Sequence, residues 1–278
     1  MMTLQEALNF GAEAIGRHES RLLLSHVTGL GLSDIIINSA KPLDEPAKGA
    51  FFAGIERRKA KEPLQYILGR WEFMGLEIIT DPRGLIPRPE TELLVEEALA
   101  HINGLGRPAG VLDVCTGSGC IAVAIAKLAN ANVTAADISQ AALALAAENA
   151  ALHRVDINFV QSDLFSALTG RAFDVIISNP PYIPTPELNR LQPEIKGHEP
   201  MLALDGGPDG LDIYRRLIPA SLNYLAPSGA IFLEIGPREA ETIMYSAGYD
   251  IVRLVKDYAG LDRVLIGKPN GGRKCSTV

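Results

Sequence analysis

A glycine-rich segment near the middle of the chain has the composition of a ligand-binding loop. It reads Asp113-Val114-Cys115-Thr116-Gly117-Ser118-Gly119-Cys120 and lies between a predicted strand and a predicted helix. Small residues let backbone N–H groups approach a ligand closely, and a helix N-terminus favours a negative group. Gly117-x-Gly119-x-x-Ala122 also satisfies the dinucleotide fingerprint, with Asp137 near the usual spacing of about 20 residues. Taken alone, the loop fits NAD, S-adenosylmethionine, or a strand–helix turn that binds no ligand.

Acidic residues at three predicted strand ends shift this balance. A carboxylate at Asp113 would repel a pyrophosphate but suits a ligand that carries an ammonium and a sulfonium charge. S-adenosylmethionine is therefore the favoured cofactor. Asp137 can accept hydrogen bonds from both ribose hydroxyls, or alternatively cap the helix that begins near Ser139. We expect Asp163 to face the adenine amino group and Leu164 to pack on the ring.

The segment Asn179-Pro180-Pro181-Tyr182 follows a predicted strand at 173–178 and offers two hydrogen-bond acceptors. Prolines are stiff and lack N–H groups, so the Asn179 side chain and the Pro180 carbonyl are held beside the cofactor pocket. Two acceptors match a planar NH₂ group, whose lone pair is delocalised. Binding both hydrogens orients that lone pair toward the methyl group and stabilises the developing positive charge, so no general base is required. Tyr182 can lie against the planar group. The alternative is a tight proline turn with a buried tyrosine.

The glycine-rich loop and the Asn-Pro-Pro-Tyr segment together resemble the HemK/PrmC family. Members of this family are class I methyltransferases that modify the glutamine side-chain amide of the Gly-Gly-Gln motif in peptide-chain release factors. The resemblance is strong over residues 60–267 and loose over the helical N-terminus. Further matching segments are Glu62–Gly69, Ile86–Glu92 (Ile-Pro-Arg-Pro-Glu-Thr-Glu), His198–Pro200, Ala203–Gly207, Leu233–Gly236 and Asp262–Val264.

The resemblance implies a role for residues in both motifs. The cofactor-binding residues predicted from the loop chemistry and the resemblance are Asp113, Cys115, Thr116, Gly117, Ser118, Gly119, Asp137, Asp163, Leu164 and Asn179. The predicted substrate-binding residues are Asn179, Pro180, Pro181 and Tyr182, of which Asn179, Pro180 and Tyr182 are the predicted catalytic residues. No metal site is predicted.

Cys115 departs from the family pattern. Many members carry glycine there, whereas a related group that methylates a glutamine of a large-subunit ribosomal protein often carries cysteine. A cysteine would be strained if the position required a positive φ and harmless in an ordinary conformation. The segment Arg88-Pro89-Glu90-Thr91-Glu92 points back to release factors.

The elements that must hold these residues follow a βα rhythm after residue 109. Alternating strands and helices indicate a mostly parallel sheet that is covered on both faces and binds ligands at the carboxyl ends of its strands. The predicted strands are 110–114, 132–137, 157–161, 173–178 and 230–235, with a closing antiparallel hairpin at 251–256 and 263–267. The predicted helices are 90–102, 120–128, 139–152, 211–225 and 238–247, with a proline-rich loop at 179–208.

Residues 3–61 show helical periodicity without strand-like alternation, and aromatic and β-branched residues begin at Trp71. We therefore predict an N-terminal helical substrate-recognition domain at 1–70, a β-hairpin linker at 71–89, a methyltransferase domain at 90–270 and a disordered tail at 271–278. The fold class is α/β: a Rossmann-like class I S-adenosylmethionine-dependent methyltransferase domain with a small N-terminal helical bundle.

Composition limits the setting in which the protein works. The chain has 278 residues and a net charge of −7, which disfavours a nucleic-acid-binding protein. Three cysteines without a CxxC pair suggest neither disulfides nor zinc, and no leader or membrane segment is evident, so we expect a cytoplasmic protein. The only basic cluster, at 57–61, either contacts a partner or is solvated at a helix end.

The predicted reaction is methyl transfer from S-adenosylmethionine to a glutamine amide. The predicted partners are class I peptide-chain release factors as protein substrates, with no direct nucleic-acid binding, no membrane association and a monomeric state. A glutamine methyltransferase that acts on a large-subunit ribosomal protein stays open as an alternative, and so do two other protein classes. One is an adenine-N6 DNA methyltransferase, because an exocyclic amine poses the same chemical problem as an amide. The other is an NAD-dependent oxidoreductase, which leaves the Asn-Pro-Pro-Tyr segment unexplained.

Overall fold

The computed structural model describes residues 1–236 and 239–270, which form two compact units. Among the described residues, the first unit comprises Met1–Arg70 and Gln192–His198, and the second comprises Trp71–Leu191 and those between Glu199 and Asn270. The predicted tail at 271–278 lies outside the described residues, as does Arg238, the first residue of the predicted helix 238–247. Within the described part of the chain, no helix is long and apolar enough to cross a membrane.

The first unit is helical, and its helices within residues 4–68 share an apolar core. Its helices are α1 (Leu4–Ile15), α2 (Arg17–Thr28), α3 (Leu32–Ile37), α4 (Glu45–Lys59), α5 (Leu64–Leu68) and, from its later place in the chain, α9 (Pro193–His198). A capping box begins α1, because the Thr3 hydroxyl accepts from the Glu6 amide and the Glu6 carboxylate accepts from the Thr3 amide. A Cβ on Gly54 would lie 2.7 Å from a Leu23 methyl group, so glycine permits the close packing of α2 and α4.

The basic cluster at the end of α4 is paired with carboxylates of the first unit. Arg58 is the least exposed of its cations and donates to Glu19 and Glu194 at 2.7 and 3.0 Å. The other pairs are Arg57–Glu62, Lys59–Glu56 and Lys61–Glu194. Internal pairing thus compensates the charge of the cluster.

A two-stranded hairpin opens the second unit. Its strands are β1 (Arg70–Phe73) and β2 (Leu76–Ile79), joined by Met74 and Gly75 with φ of 53° and 70°. Two consecutive positive φ values are the signature of the type I′ turn, whose twist matches that of the strands. The Met74 amide donates to Glu92, and the Ile79 amide to Asn149 at 2.7 Å, so side chains of the following helices hold the hairpin.

The second unit is built on a seven-stranded sheet. Its helices are α6 (Pro89–Gly104), α7 (Cys120–Leu128), α8 (Gln140–His153), α10 (Asp212–Ser221) and α11 (Ala240–Ala247); its sheet strands are β3 (Ala109–Val114), β4 (Ala131–Asp137), β5 (Ile157–Gln161), β6 (Phe173–Ser178), β7 (Leu225–Glu234), β8 (Tyr249–Lys256) and β9 (Asp262–Pro269). The strand order is β5-β4-β3-β6-β7-β9-β8. The first five strands are parallel, and β9 runs antiparallel to both β7 and β8. This arrangement confirms the predicted α/β class and the antiparallel edge hairpin.

Two apolar layers cover the faces of this sheet. Val111 of β3 packs in the layer that contains α6 and α7, and the next residue, Leu112, packs in the layer of α10 and α11. Because successive residues of a strand point to opposite faces, a strand buried on both sides reads as a continuous apolar run.

The order of the strands reverses between β3 and β6. The chain builds β4 and β5 on one side of β3, and β6 and β7 on the other. Such a reversal opens a crevice at the carboxyl ends of the strands. Here the Ser178 hydroxyl donates to the Val114 carbonyl at 2.6 Å and joins the ends of β6 and β3.

The predicted helix 211–225 is too long. Helix α10 ends at Ser221, and β7 begins at Leu225, five residues before the predicted strand. Apolar residues continue the helical periodicity past Ser221, but the Phe173 amide donates to the Tyr224 carbonyl at 2.8 Å and draws the chain into the sheet. The predicted loop at 179–208 also contains short helical turns at Thr185–Arg190 and Met201–Ala203 in addition to α9.

Candidate active site

One cavity of about 240 Å³ lies at the crevice between β3 and β6. It is far larger than the roughly 10–15 Å³ that a single water needs, so it can hold a ligand of many atoms. Residues that follow four strands line it, together with Arg83–Arg88 and parts of the segment after Glu199. Of the predicted site residues, it brings together Cys115, Thr116, Gly117, Ser118, Asp137, Asp163, Leu164, Asn179 and Pro181. Asp113, Gly119, Pro180 and Tyr182 lie outside its lining.

The loop after β3 is a tight turn held by its own backbone. Cys115, Gly117 and Gly119 have φ of 61°, 54° and 77°. A Cβ on Gly119 would lie 2.7 Å from that of Ala146, so the loop can pack on α8 only with glycine there. At Cys115 the backbone is left-handed without glycine, which makes it the strained position that the sequence had left open.

Asp137 ties this loop to the next helix. One carboxylate oxygen accepts from the Gly117 amide at 2.9 Å, and the other accepts from the Ser139 amide at 2.8 Å. Ser139 itself caps α8 by accepting from the Ala142 amide. Burial raises the pKa of Asp137, and the backbone donors oppose that shift. Asp137 therefore fixes the loop and also faces the cavity.

Asp113 supports the loop from below. Its side chain is fully buried, and one oxygen accepts from the Thr116 hydroxyl at 2.5 Å. The other oxygen has no hydrogen-bond partner among the described residues. Burial raises the pKa of Asp113 to about 7, against the opposing effect of the Thr116 hydroxyl. Leu112 and Val114, its neighbours in β3, pack in the layer of α10 and α11, so the Asp113 side chain points to the opposite face of the sheet. There it bonds Thr116 and lies beneath the loop.

The loop after β5 supplies an acidic and an apolar side chain. Asp163 accepts from Arg216 at 2.6 Å, and both residues line the cavity. Leu164 lies beside Asp163 with φ of 51° and is 9% exposed. The apolar wall also includes Ile138, which directly follows Asp137.

The backbone of the loop after β3 does not form a diphosphate cradle. The amides of Thr116, Gly117 and Gly119 already donate to Ala136, Asp137 and Thr116 respectively. A diphosphate needs free N–H groups and no adjacent carboxylate. A ligand with ribose hydroxyls and a positive charge fits Asp137 and the apolar wall, as S-adenosylmethionine requires.

Asn179 lies across the cavity, at the end of β6. Its Nδ2 donates to the Thr91 hydroxyl at 3.1 Å, and Thr91 donates to Glu234 at 2.7 Å. The Tyr182 hydroxyl donates to the second oxygen of Glu234 at 3.2 Å. Burial raises the pKa of both Glu234 and Tyr182. Asn179 and Tyr182, predicted to act together, are thus joined through one buried carboxylate.

Glycines hold Tyr182 in place. A Cβ on Gly236 would lie 2.4 Å from the Tyr182 ring, so only glycine leaves room for the ring there. A Cβ on Gly210 would lie 2.3 Å from the Tyr182 carbonyl oxygen. Any larger residue at these positions would displace the segment that carries Asn179.

Glu199 anchors one wall of the cavity. Its buried carboxylate accepts from Arg88 and from the Ile86 amide. The segments 84–88 and 199–205 both contribute to the lining. The bonds of Glu199 therefore hold two lining segments together.

The lining also includes residues that the sequence did not identify as site residues, among them Ile138, Arg216 and Thr91. Thr91 belongs to a segment that matches the family, and Ile138 adjoins a predicted ligand-binding residue, so both could have been identified from the sequence. Arg216 lies in α10 among other polar residues, and only folding brings it to Asp163.

Comparison with known proteins matches both parts of the chain to family models. Residues 89–190 match the methyltransferase small domain, and residues 4–69 match the PrmC N-terminal domain. A solved structure of a ribosomal protein L11 methylase from Lactobacillus delbrueckii superposes with a TM-score of 0.52 at 21% identity, over 71% of this chain and 96% of that chain. The sheet, its covering helices and the cavity at the strand ends are those of a class I methyltransferase.

Curated relatives narrow this class. The chain is 45% identical to a release factor glutamine methyltransferase of Geobacter sulfurreducens, over 91% of this chain and 89% of the relative. It is 40% identical to a protein of the same description from Deinococcus radiodurans, over 91% of each. The chain belongs to the release factor glutamine methyltransferase family, which confirms the resemblance stated from the sequence.

Proposed function

We propose that the protein transfers a methyl group from S-adenosylmethionine to the side-chain amide nitrogen of the glutamine in the Gly-Gly-Gln motif of class I release factors. The observation that carries this function is the placement of Asn179 and Pro181 in the same cavity as Asp137 and the loop after β3. A methyl acceptor site and a nucleoside site must share one cavity for transfer to occur.

The cofactor side consists of the loop Cys115–Gly119, Asp137, Asp163 and Leu164, supported by Asp113. S-adenosylmethionine, when bound, supplies an electrophilic methyl group on a sulfonium centre. Asp137 would hold the ribose hydroxyls with the oxygen lone pairs that Gly117 and Ser139 leave free. Asp163, Leu164 and Ile138 line the same cavity, where Asp163 would accept from the adenine amino group and the two apolar side chains would pack on the ring.

The substrate side consists of Asn179 and Pro181, which line the cavity, with Pro180 and Tyr182 of the same segment outside the lining. A glutamine amide nitrogen is a poor nucleophile because its lone pair is delocalised into the carbonyl group. The Asn179 Oδ1 and the Pro180 carbonyl accept its two hydrogens, orient the nitrogen and stabilise positive charge as it develops. The methylated nitrogen loses its extra proton to water after transfer, so no general base is needed. Tyr182 supports the segment that carries Asn179 from outside the cavity lining.

We further propose the organisation around this site. The helical part at 1–70 recognises the release factor outside the cavity, and the segment 71–89 links it to the methyltransferase domain. The charge-compensated cluster at 57–61 supports contact with protein rather than with nucleic acid. The enzyme acts in the cytoplasm, on release factors as its protein substrates.

Transfer of a labelled methyl group by the purified protein tests this function. The parallel acceptors are a release factor, its Gln→Ala variant, a large-subunit ribosomal protein and duplex DNA. We expect label on the release factor and none on the variant. Label on the ribosomal protein alone would move the chain to the related group that often carries cysteine at the position of Cys115, and label on DNA alone would show that the acceptor is an adenine.

A further inference from the structure

A chain of hydrogen bonds joins Asn179 to a carboxylate outside the cavity lining. Asn179 Nδ2 donates to Thr91 Oγ1, and Thr91 Oγ1 donates to Glu234 Oε2. Glu234 is 1% exposed, and its other oxygen accepts from the Tyr182 hydroxyl. The bonded residues come from the start of α6, the loop after β6 and the end of β7.

The protons available along these hydrogen bonds determine which atom donates in each of them. An ionised carboxylate only accepts, so the single proton of the Thr91 hydroxyl points to Glu234. The Thr91 oxygen then accepts from Asn179, which must present its NH₂ group to Thr91. The Asn179 oxygen is left for the cavity. The charge on Glu234 therefore decides which end of the Asn179 amide is offered to a ligand.

We propose that Thr91 and Glu234 are positioning residues that set the polarity of the Asn179 amide, so that its oxygen faces the substrate nitrogen. This inference rests on the proposed function, since it names what keeps the acceptor in place for an NH₂ group. Neither residue touches the reacting atoms; both act through Asn179.

Removing the charge on Glu234 reverses the direction. A neutral side chain at 234 can donate to Thr91, whose hydroxyl then donates to the Asn179 oxygen. Asn179 turns its NH₂ group to the cavity, where it meets the NH₂ group of the substrate. Two donors facing each other cannot bond, so the glutamine nitrogen is no longer oriented.

Protonation of Glu234 has the same consequence. Burial raises its pKa above the usual 4.5, while the Thr91 and Tyr182 hydroxyls and the Arg263 charge oppose that shift. Glu90 adds a raising effect from α6, and Arg88 acts on the Tyr182 side of the pair. From α10, the Tyr214 hydroxyl donates to the Glu234 main-chain carbonyl. We expect kcat to fall as the pH drops through the raised pKa of Glu234.

Three variants test the hydrogen bonds that lead from Asn179 through Thr91 to Glu234, which we call the relay. Thr91→Val keeps the shape and removes the hydroxyl, and we expect kcat to fall roughly 10–100-fold, the order of effect that a small misplacement near the reacting atoms produces. Thr91→Ser keeps the hydroxyl and should retain kcat within about threefold. Glu234→Gln should lower kcat and remove the acid limb of its pH profile. Thermal unfolding and the Kd of S-adenosylmethionine, measured for each variant, show that the site is folded.

Two results would overturn the proposal. In one, Thr91→Val retains kcat and the wild-type pH profile. In the other, Thr91→Ser loses as much kcat as Thr91→Val, which would make packing rather than the hydroxyl the cause.

A second readout needs no turnover and separates this proposal from the proposed function. The side-chain NH₂ resonances of Asn179, identified by their loss in Asn179→Ala, should shift in Thr91→Val and stay near wild type in Thr91→Ser. Equal Asn179 resonances in the wild type, Thr91→Val and Thr91→Ser would refute the relay. If the wild type transfers no methyl group to a release factor, the proposed function fails while the resonances still test the relay.

Discussion

The two sides of the cavity are held in place by different kinds of bond. On the cofactor side, Asp137 at the end of β4 accepts from two backbone amides, those of Gly117 in the loop after β3 and Ser139 in the loop after β4. On the substrate side, Asn179 is held by side chains, through Thr91 to Glu234. Those partners lie 88 and 143 residues apart in the sequence.

This difference implies that cofactor binding and the rate of methyl transfer depend on different residues. The fold fixes the positions of backbone donors, so the sheet and its turns determine the geometry of the cofactor side. Side-chain hydrogen bonds have a direction that depends on protonation and on each residue in the chain. Substitutions on the cofactor side should therefore weaken ligand binding, and substitutions on the substrate side should slow methyl transfer to a bound acceptor.

The largest effect is expected at Asn179. Asn179→Ala removes one of two acceptors for the substrate amide, and we expect kcat to fall about 10²–10³-fold, as when one group that stabilises a transition state is lost. Rapid-quench measurement of methyl transfer at saturating S-adenosylmethionine checks this. An unchanged rate would mean that Asn179 is not the acceptor.

Asp137→Ala should act on the other side of the cavity. It removes the acceptor for the ribose hydroxyls and for two loop amides, and we expect the Kd of S-adenosylmethionine to rise about 10–100-fold, or roughly 1.4 kcal/mol per tenfold. Calorimetric titration measures this. The matched control is Asp156→Ala, which removes an exposed carboxylate at the amino end of β5 and should leave the Kd unchanged. Equal weakening in both variants would implicate overall charge instead.

Gly236→Ala sharpens the comparison from the substrate side. The new Cβ would lie 2.4 Å from the Tyr182 ring, and this overpacking should destabilise the fold by about 1–3 kcal/mol. We also expect kcat to fall about tenfold because the segment bearing Asn179 shifts. Gly49→Ala, whose Cβ would meet open space in α4, is the control and should change neither quantity adversely. Full activity in Gly236→Ala would show that Tyr182 can move without consequence.

The smallest effect is expected at Cys115. A residue other than glycine at φ 61° carries strain of about 1–2 kcal/mol, so Cys115→Gly should raise the free energy of unfolding by up to about 1 kcal/mol after the entropy of glycine in the unfolded chain is subtracted. The matched change Cys120→Gly, at the buried first residue of α7, should instead destabilise by about 1 kcal/mol or more. Denaturant unfolding compares the two. A loss of stability in Cys115→Gly would show that side-chain contacts outweigh the strain.

The same contrast explains what the sequence predicts. The predicted helix 120–128 and the predicted strands 157–161 and 173–178 agree with the structure. Each is an apolar run bounded by glycine, proline or polar residues, so its ends are visible in the local sequence. The loop after β3 and Asp137 carry local motifs, so their meeting in one cavity was predictable. The end of α10 was not, because its apolar pattern continues into β7 and only pairing with Phe173 ends the helix.

Long-range partners define the limit of sequence reasoning. Asp113 stands in a motif, but the direction of its side chain depends on the pleat of β3, which buries it beneath the loop. Thr91 and Glu234 lie in matching segments without any sign that they meet. Arg216 pairs with Asp163 across 53 residues, and no spacing rule connects them.

The most direct test of the separation between the two sides is to measure two quantities on the same two variants. For Asn179→Ala and Asp137→Ala we would determine the Kd of S-adenosylmethionine and the single-turnover rate of methyl transfer at saturating cofactor and release factor. We predict that Asn179→Ala loses about 10²–10³-fold in rate with its Kd within about fivefold, and that Asp137→Ala shows the opposite pattern. Proportional losses of affinity and rate in both variants would contradict the separation.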